Sequence, residues 1–247
     1  MGAAVRETEL LQSLAAVRCR LARAAEAVGR EAGDIELLPI TKFFPAEDVL
    51  ILHRLGCRDF GESREQEASN KSRRVAAALP AATIRWHMVG RIQRNKARAV
   101  ASWAYAAHSV DDARVVEALD RGAVRALADG LRAEQLRVYV QISLDGDAQR
   151  GGVHIDRPDL VDELCAVVAG AKGLRLAGLM GIPPLGADPD AAFARLQSEL
   201  HRVQQNYQQR LGLSAGMSGD LEAAVKHGST CVRVGTALLG PRPLTSP

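Results

Sequence analysis

Lys42 stands at the carboxyl end of the apolar run Ile35 to Ile40, where an extended strand delivers a primary amine into a protein interior. An amine so placed forms imines with aldehydes. In IELLPITKFFP, side-chain alternation puts Ile40 and Lys42 on one strand face, and Pro45 stops the strand just beyond. Burial in an apolar mouth disfavours the ammonium form and readies the amine for attack near neutral pH. A surface lysine laying its stem along apolar neighbours is the plainer alternative. Near the other terminus, LSAGMSGDLEAAVKHG ends a strand with Gly216, Met217, Ser218 and Gly219 and then opens a helix. Backbone N–H groups and a hydroxyl converge there, where an anion would be held. CVRVGTALLG repeats the device, with Gly235 letting the backbone approach closely and Thr236 adding a hydroxyl. Glycine and serine also end strands for ordinary turn reasons. Alternation places Cys231, Arg233 and Gly235 on one face and Val232, Val234 and Thr236 on the other. Arg233 is then a cation flanked by valines that meets either a ligand acceptor or a carboxylate between strand and helix.

An amine at one strand end, a dianion cradle at two neighbouring strand ends and a cation between them describe a site for a phosphorylated aldehyde. Pyridoxal 5′-phosphate carries all three matching groups. His87, after Trp86, either lines the ring of such a ligand or is a satisfied core histidine. Met180 and Met217 read as pocket wall or core filler. His53, His154, His201 and His227 carry no ligand spacing and read as surface residues.

The elements that must position these groups alternate along the chain. Eight β-rich runs are predicted: Ile35 to Lys42, Cys57 to Glu62, Ile84 to Gly90, Trp103 to Val110, Arg137 to Ser143, Leu174 to Ile182, Leu213 to Ser218 and Cys231 to Thr236. Helical spacing fills most of the intervals, near Ala46 to Leu55, Arg64 to Leu79, Gln93 to Ala101, Asp111 to Gly130, Pro158 to Ala171, Asp188 to Leu211 and Gly219 to His227. Asp111 or Ser109 is expected to cap the fourth of these, with Asp156 before the next. Parallel pairing follows from the alternation, and 247 residues is close to the ~250 typical of a (β/α)8 barrel. The fold expected is one α/β TIM-barrel domain over 1–247, the barrel occupying about 35–240. An extra N-terminal helix over about 7–32 buries Leu10, Leu14, Val17, Leu21, Ala24 and Val28 on one face.

Composition excludes several classes. A chain 47% hydrophobic and 25% charged can bury a large core, and its net charge of +3 is small. Two basic stretches, Arg64, Lys71, Arg73 and Arg74, then Arg91, Arg94, Lys96 and Arg98, lack interleaved aromatics and read as solvated helix faces rather than a nucleic-acid surface. Cys19, Cys57, Cys165 and Cys231 show no CxxC spacing, so neither a metal site nor a disulfide framework is suggested, and a reducing cytoplasm fits. No leader segment and no membrane span is predicted.

The chain resembles the pyridoxal-phosphate homeostasis proteins, a family similar to the barrel domain of alanine racemase standing alone. The resemblance runs from about Ile35 to Arg242. It is carried by ITKFFP, FGESREQE, WHMVGRIQRNK, HSVDD, VQISLDGDAQRGGV, GLMGIPP and LSAGMSGDLEAAVKHGSTCVRVGTALLG. It implies that Lys42 binds the aldehyde covalently, that Ser218, Gly235 and Thr236 hold the phosphate with nearby amides, and that Arg233 faces the pyridine nitrogen. Ser63, which follows FGE where the family commonly has asparagine, keeps a shorter polar contact near the ring. Ala215 replaces a methionine, and Arg91 stands where histidine is frequent.

The function expected is storage and delivery of pyridoxal 5′-phosphate, with little or no catalysis and no catalytic residue assigned. Its partners would be the cofactor and apo-enzymes that receive it, and the chain would be a cytoplasmic monomer. An amino-acid racemase is the alternative. It needs an acid or base on each face of the bound substrate, yet no tyrosine falls at a strand end: Tyr105 and Tyr139 come early in their strands and Tyr207 in a helix. A Schiff-base aldolase acting on sugar phosphates is a third class, and a lysine on the first strand counts against it.

Overall fold

The computed structural model describes residues 2–147 and 149–242. Its strands are β1 (Glu36–Pro39), β2 (Asp59–Glu62), β3 (Arg85–Met88), β4 (Ala106–Val110), β5 (Leu136–Ser143), β6 (Val153–His154), β7 (Leu174–Gly181), β8 (Gly212–Ser214) and β9 (Cys231–Val234). They form one sheet in the order β1-β9-β8-β7-β5-β4-β3-β2, with parallel pairing at every ladder. Ile40 bridges Gly61, and the Thr41 N–H donates to the Gly61 carbonyl at 2.9 Å, which joins β1 to β2 and closes the ring. The expected (β/α)8 barrel is the fold. The short β6, which the sequence reading missed, only extends the ladder beyond the end of β5.

The helices are α1 (Ala3–Glu26), α2 (Ala46–Arg54), α3 (Glu65–Ala78), α4 (Ala97–Trp103), α5 (Ala113–Ala128), α6 (Pro158–Gly170), α7 (Pro189–Gln204), α8 (Leu221–Lys226) and α9 (Thr236–Leu239). None is long and apolar enough to cross a membrane. The α1 helix buries Leu10, Leu14, Val17, Leu21 and Ala24 in one cluster with Val232, Val234 and Leu238. It ends earlier than its apolar spacing suggested, because Gly29 turns left-handed at φ +67 and the Arg30 N–H reaches back to the Ala25 carbonyl at 2.9 Å. Val28 therefore lies past the helix and is exposed.

Other boundaries moved for local reasons. Trp103 closes α4 instead of opening a strand, and Thr236 opens α9 instead of ending one. The carboxylate that caps α5 belongs to Asp112, which accepts from the Arg114 N–H at 2.7 Å, while Asp111 accepts from the Gly152 N–H across the barrel rim. Arg157, not Asp156, occupies the position before α6. Tyr207 lies beyond the end of α7, in the connection to β8.

The two faces of the barrel strands differ in chemistry. On β5, Leu136, Val138, Val140 and Ile142 join Phe193 and Leu196 of α7 in the large apolar layer under the helices. Tyr139 faces the other way and stacks on His108 at 4.5 Å between centroids. The axis consequently collects buried polar groups, among them Asp59, His87, His108, Ser214 and Arg233. Stability must come from the outer layer. Phe193→Ala, which removes a fully buried ring there, is expected to cost about 3–5 kcal/mol in urea unfolding with an unchanged far-UV spectrum.

Candidate functional site

The strand carrying Lys42 ends sooner than alternation suggested. β1 stops at Pro39, Ile40 makes a single bridge, and Lys42 sits on a tight turn closed by the Phe44 N–H donating to the Thr41 carbonyl at 3.1 Å. Phe43 takes φ 70, a left-handed conformation that costs a non-glycine residue of order 1 kcal/mol. Its N–H is held by Glu67 Oε1 at 2.7 Å, which pins the turn from α3. Lys42 is half-buried, and among the described residues its Nζ has no hydrogen-bond or ion-pair partner. The aromatic face of Phe43 is attended by cations, with the Arg242 guanidinium carbon 3.8 Å and that of Arg64 5.5 Å from its centroid.

Behind this turn lies a buried ionic cluster. Lys71 Nζ donates to Glu62 Oε1 at 2.6 Å and to the Thr41 carbonyl at 2.8 Å, and the Thr41 hydroxyl donates to the same carboxylate oxygen at 2.6 Å. Lys71 does not belong to the solvated helix face expected from the charge pattern; it is 6% exposed, because α3 turns that side toward β2. Burial pushes the Glu62 carboxyl above its ordinary range, an effect that Lys71 and Thr41 only partly offset, and Oε2 of Glu62 has no partner. The cluster spans the backbone just before Lys42 and the residue just before Ser63, so it fixes two strand ends together. Ser63 is half-buried. Any side chain at Gly90 would run into the Ser63 backbone, so glycine lets the exit of β3 pass against it.

The C-terminal cradle forms as a unit. Gly216 turns at φ +92, where a Cβ would press on Ala224, and the chain then passes through Met217, Ser218 and Gly219 into α8. Met217 is exposed rather than core, and its N–H donates to Asp220 Oδ1 at 2.6 Å. Ser218 Oγ accepts from the Ala237 N–H at 3.1 Å, tying this loop to the start of α9 and leaving the hydroxyl proton free to donate. Arg20 of α1 donates to the Ser218 carbonyl at 3.1 Å and pairs through two nitrogens with Glu222, so the extra helix braces the loop. Gly235 and Thr236 follow β9 directly, and Thr236 is exposed. A Cβ on Gly235 would meet only ordinary contacts with Ile40, so close approach of the protein's own backbone does not require this glycine. The Ile40 N–H donates to the Val234 carbonyl at 2.9 Å. Lys42 and Thr236 therefore each lie two residues past one hydrogen-bonded rung, on neighbouring strand ends.

Arg233 points to the barrel axis, away from the valines, and is 5% exposed. Nη1 donates to the carbonyl and the hydroxyl of Ser214 at 2.7 and 2.6 Å, and Nη2 donates to the Gly181 carbonyl at 3.2 Å. Among the described residues no carboxylate touches it, so the expected strand–helix ion pair is not seen there. Two of its five N–H groups have no acceptor among the described residues. His87 is set apart from the mouth. Its ring lies toward the start of β2, with Nε2 3.1 Å from Asp59 Oδ1 and Nδ1 2.9 Å from His108 Nε2. Glu36, Asp59 and His87 bring ligand-type atoms within 4.8 Å of one another, but both oxygens of Asp59 already face the Arg85 guanidinium.

The chain matches the family model for the alanine racemase N-terminal domain over residues 13–243. It is 64% identical over 248 residues to the pyridoxal phosphate homeostasis protein of Mycobacterium tuberculosis (strain H37Rv), covering 98% of this chain and 96% of that one. Identity to the protein of the same name from Escherichia coli K12 is 34%, covering 95% and 97%. PipY of Synechococcus elongatus PCC7942, solved with pyridoxal phosphate bound, superposes with a TM-score of 0.77 at 31% identity, over 94% of this chain and all of PipY. Alanine racemase from Corynebacterium glutamicum shares the fold at TM-score 0.64 and 15% identity, with 60% of its length covered. The chain belongs to the alanine racemase N-terminal-domain family and, within it, to the pyridoxal phosphate homeostasis proteins.

Two outcomes test the electrostatics. Lys71→Ala strands the Glu62 carboxylate and is expected to cost about 3–5 kcal/mol in urea unfolding. Burial raises the Asp59 carboxyl, but bonds from His87 and Arg85 outweigh it and hold it below the ordinary aspartate range. A carboxyl lowered in the native state contributes stability above its unfolded value and loses it as pH falls through the native one. Asp59→Asn should therefore destabilise the protein near neutral pH and flatten the loss of stability on acidification, read from urea midpoints between pH 7 and pH 3.

Proposed function

We propose that the chain binds pyridoxal 5′-phosphate at the carboxyl-terminal mouth of the barrel and serves as its carrier, storing it, delivering it to apo-enzymes and buffering the free aldehyde. The observation that carries this reading is the Lys42 amine, over the Phe43 ring at 5.8 Å and free of hydrogen-bond and ion-pair partners among the described residues, on a braced turn next to a cradle of Ser218, Gly235 and Thr236. The donor set fits the cofactor. The Ser218 and Thr236 hydroxyls and the amides of the two loops suit a phosphate, and the two unclaimed N–H groups of Arg233 suit a ring acceptor. Ser63 supplies a short polar contact near the ring, and Met217 walls the entrance.

The bound cofactor supplies an aldehyde for the lysine and a pyridine ring that draws electrons. What this chain adds is restraint. Arg233 stays charged and donates, so it discourages a proton on the ring nitrogen and leaves the ring a poor acceptor of carbanion electrons. The second proton-transfer group that racemisation needs has no candidate tyrosine at the mouth. Burial first of all pushes the Tyr139 hydroxyl far up, and Tyr105 is the acceptor for Arg137 at 2.6 Å on the axis. The alternative, a racemase of the alanine racemase fold type, therefore finds no tyrosine for its second face among the described residues.

Purified protein supplied with pyridoxal phosphate is expected to be yellow and to release the cofactor to an apo-acceptor, whereas Lys42→Ala should stay colourless and bind at least tenfold more weakly. Exchange of the α-proton of alanine in heavy water should not exceed that with free cofactor. Rapid exchange would establish the racemase reading instead.

A further inference from the structure

Four buried hydrogen bonds run in series along the barrel axis from Arg233 to the floor. Arg233 Nη1 meets Ser214 Oγ at 2.6 Å, Ser214 Oγ meets His108 Nδ1 at 2.8 Å, His108 Nε2 meets His87 Nδ1 at 2.9 Å, and His87 Nε2 meets Asp59 Oδ1 at 3.1 Å. Ser214 and His108 are wholly buried and His87 is 2% exposed, so water does not interrupt the series. It ends beside a cavity of about 610 Å³ whose lining includes Glu36, Asp59, Arg85 and Arg137.

The protons in this series can be counted from its two ends. A guanidinium only donates, so Ser214 Oγ accepts from Arg233. A carboxylate only accepts, and Asp59 is held ionised by His87 and Arg85, so His87 Nε2 carries a proton. Burial, with His87 and Arg233 nearby, holds His108 neutral, so it has one proton to place. The relay takes His87 Nδ1 as the acceptor, which puts that proton on His108 Nε2 and leaves the bare Nδ1 to accept from the Ser214 hydroxyl. Every bond then points the same way, from cation to anion.

We infer that Ser214, His108 and His87 are positioning residues, a one-directional relay that couples the buried Arg233 guanidinium to the Asp59 carboxylate, itself paired with Arg85, and so adjusts the field at the ring end of the cofactor site. The inference rests on the proposed placement of Arg233 against the cofactor ring. Arg233 touches two carbonyls and a hydroxyl but no acid, and Asp59 is the carboxylate its hydrogen bonds reach in series. In a medium of low dielectric, such a chain polarises along its length, and removing the anion at the far end changes the donor strength at the near end.

The relay is tested first without cofactor. In protein labelled with ¹⁵N-histidine, the relay requires the proton of His108 to lie on Nε2 and His87 to present a bare Nδ1 to it. A proton on His108 Nδ1 would overturn the relay, whatever the protein binds. With pyridoxal phosphate loaded, Asp59→Asn and Ser214→Ala should shift the visible absorption of the bound cofactor in the same direction and change its release rate by fivefold or more. Ser214→Thr, which restores the hydroxyl, should return both readouts toward wild type. An unaltered spectrum and release rate in Asp59→Asn, alongside a changed Ser214→Ala, would show that the far carboxylate does not act on the site. Failure of wild-type protein to bind the cofactor would sink the carrier reading, while the tautomer measurement would still decide the relay.

Discussion

A permanent positive charge on the axis of a parallel barrel is the constraint around which the interior is arranged. Arg233 cannot lose its proton, and a guanidinium taken out of water without partners would be prohibitively costly. The chain answers with carbonyls at the ends of β7 and β8, a hydroxyl at Ser214, and an imidazole pair leading to Asp59. Polar residues therefore occupy axis positions that branched aliphatic side chains fill in most barrels. The outer layer, where Phe193, Leu196, Val138 and Val140 meet under the helices, supplies the apolar burial instead.

The same division places the Lys42 amine. Lys42 sits where the ring closes between β1 and β2, on a turn that is strained at Phe43 and fastened by Glu67, Lys71 and Glu62. The anion cradle lies at the neighbouring strand ends and is fastened from outside by Arg20 of α1. Amine, cation and cradle are thus each held by a different layer, the first by α3, the second by the axis and the third by the N-terminal helix.

Much of this was legible in the sequence, for definite reasons. The eight strands announced themselves as β-rich runs separated by helical spacing, and Lys42, Ser218 and Thr236, expected as the last residues of their strands, lie just beyond the strand ends, with Arg233 inside β9. Alternation assigned Arg233 to the face opposite Val232 and Val234 correctly, yet no local rule identifies its partners, because Ser214 and Gly181 lie in other strands. His87 could not be separated from the mouth residues by pattern, since its two partners come from β2 and β4. The link from His108 to Ser214 spans 106 residues, far beyond any spacing signal. Lys71 was misread because a buried lysine and a solvated one look alike in a charged helix. The turn at Phe43 was invisible for a similar reason, as left-handed backbone is ordinarily signalled by glycine or asparagine.

The covalent link between the Lys42 amine and the cofactor aldehyde is the claim on which the functional reading depends. Borohydride reduction of the loaded protein, followed by proteolysis and mass mapping, tests it most directly. One pyridoxyl group on the peptide containing Lys42 is the expected result. A pyridoxyl group found chiefly on Lys71 or another lysine, or no stable adduct at all, would contradict it.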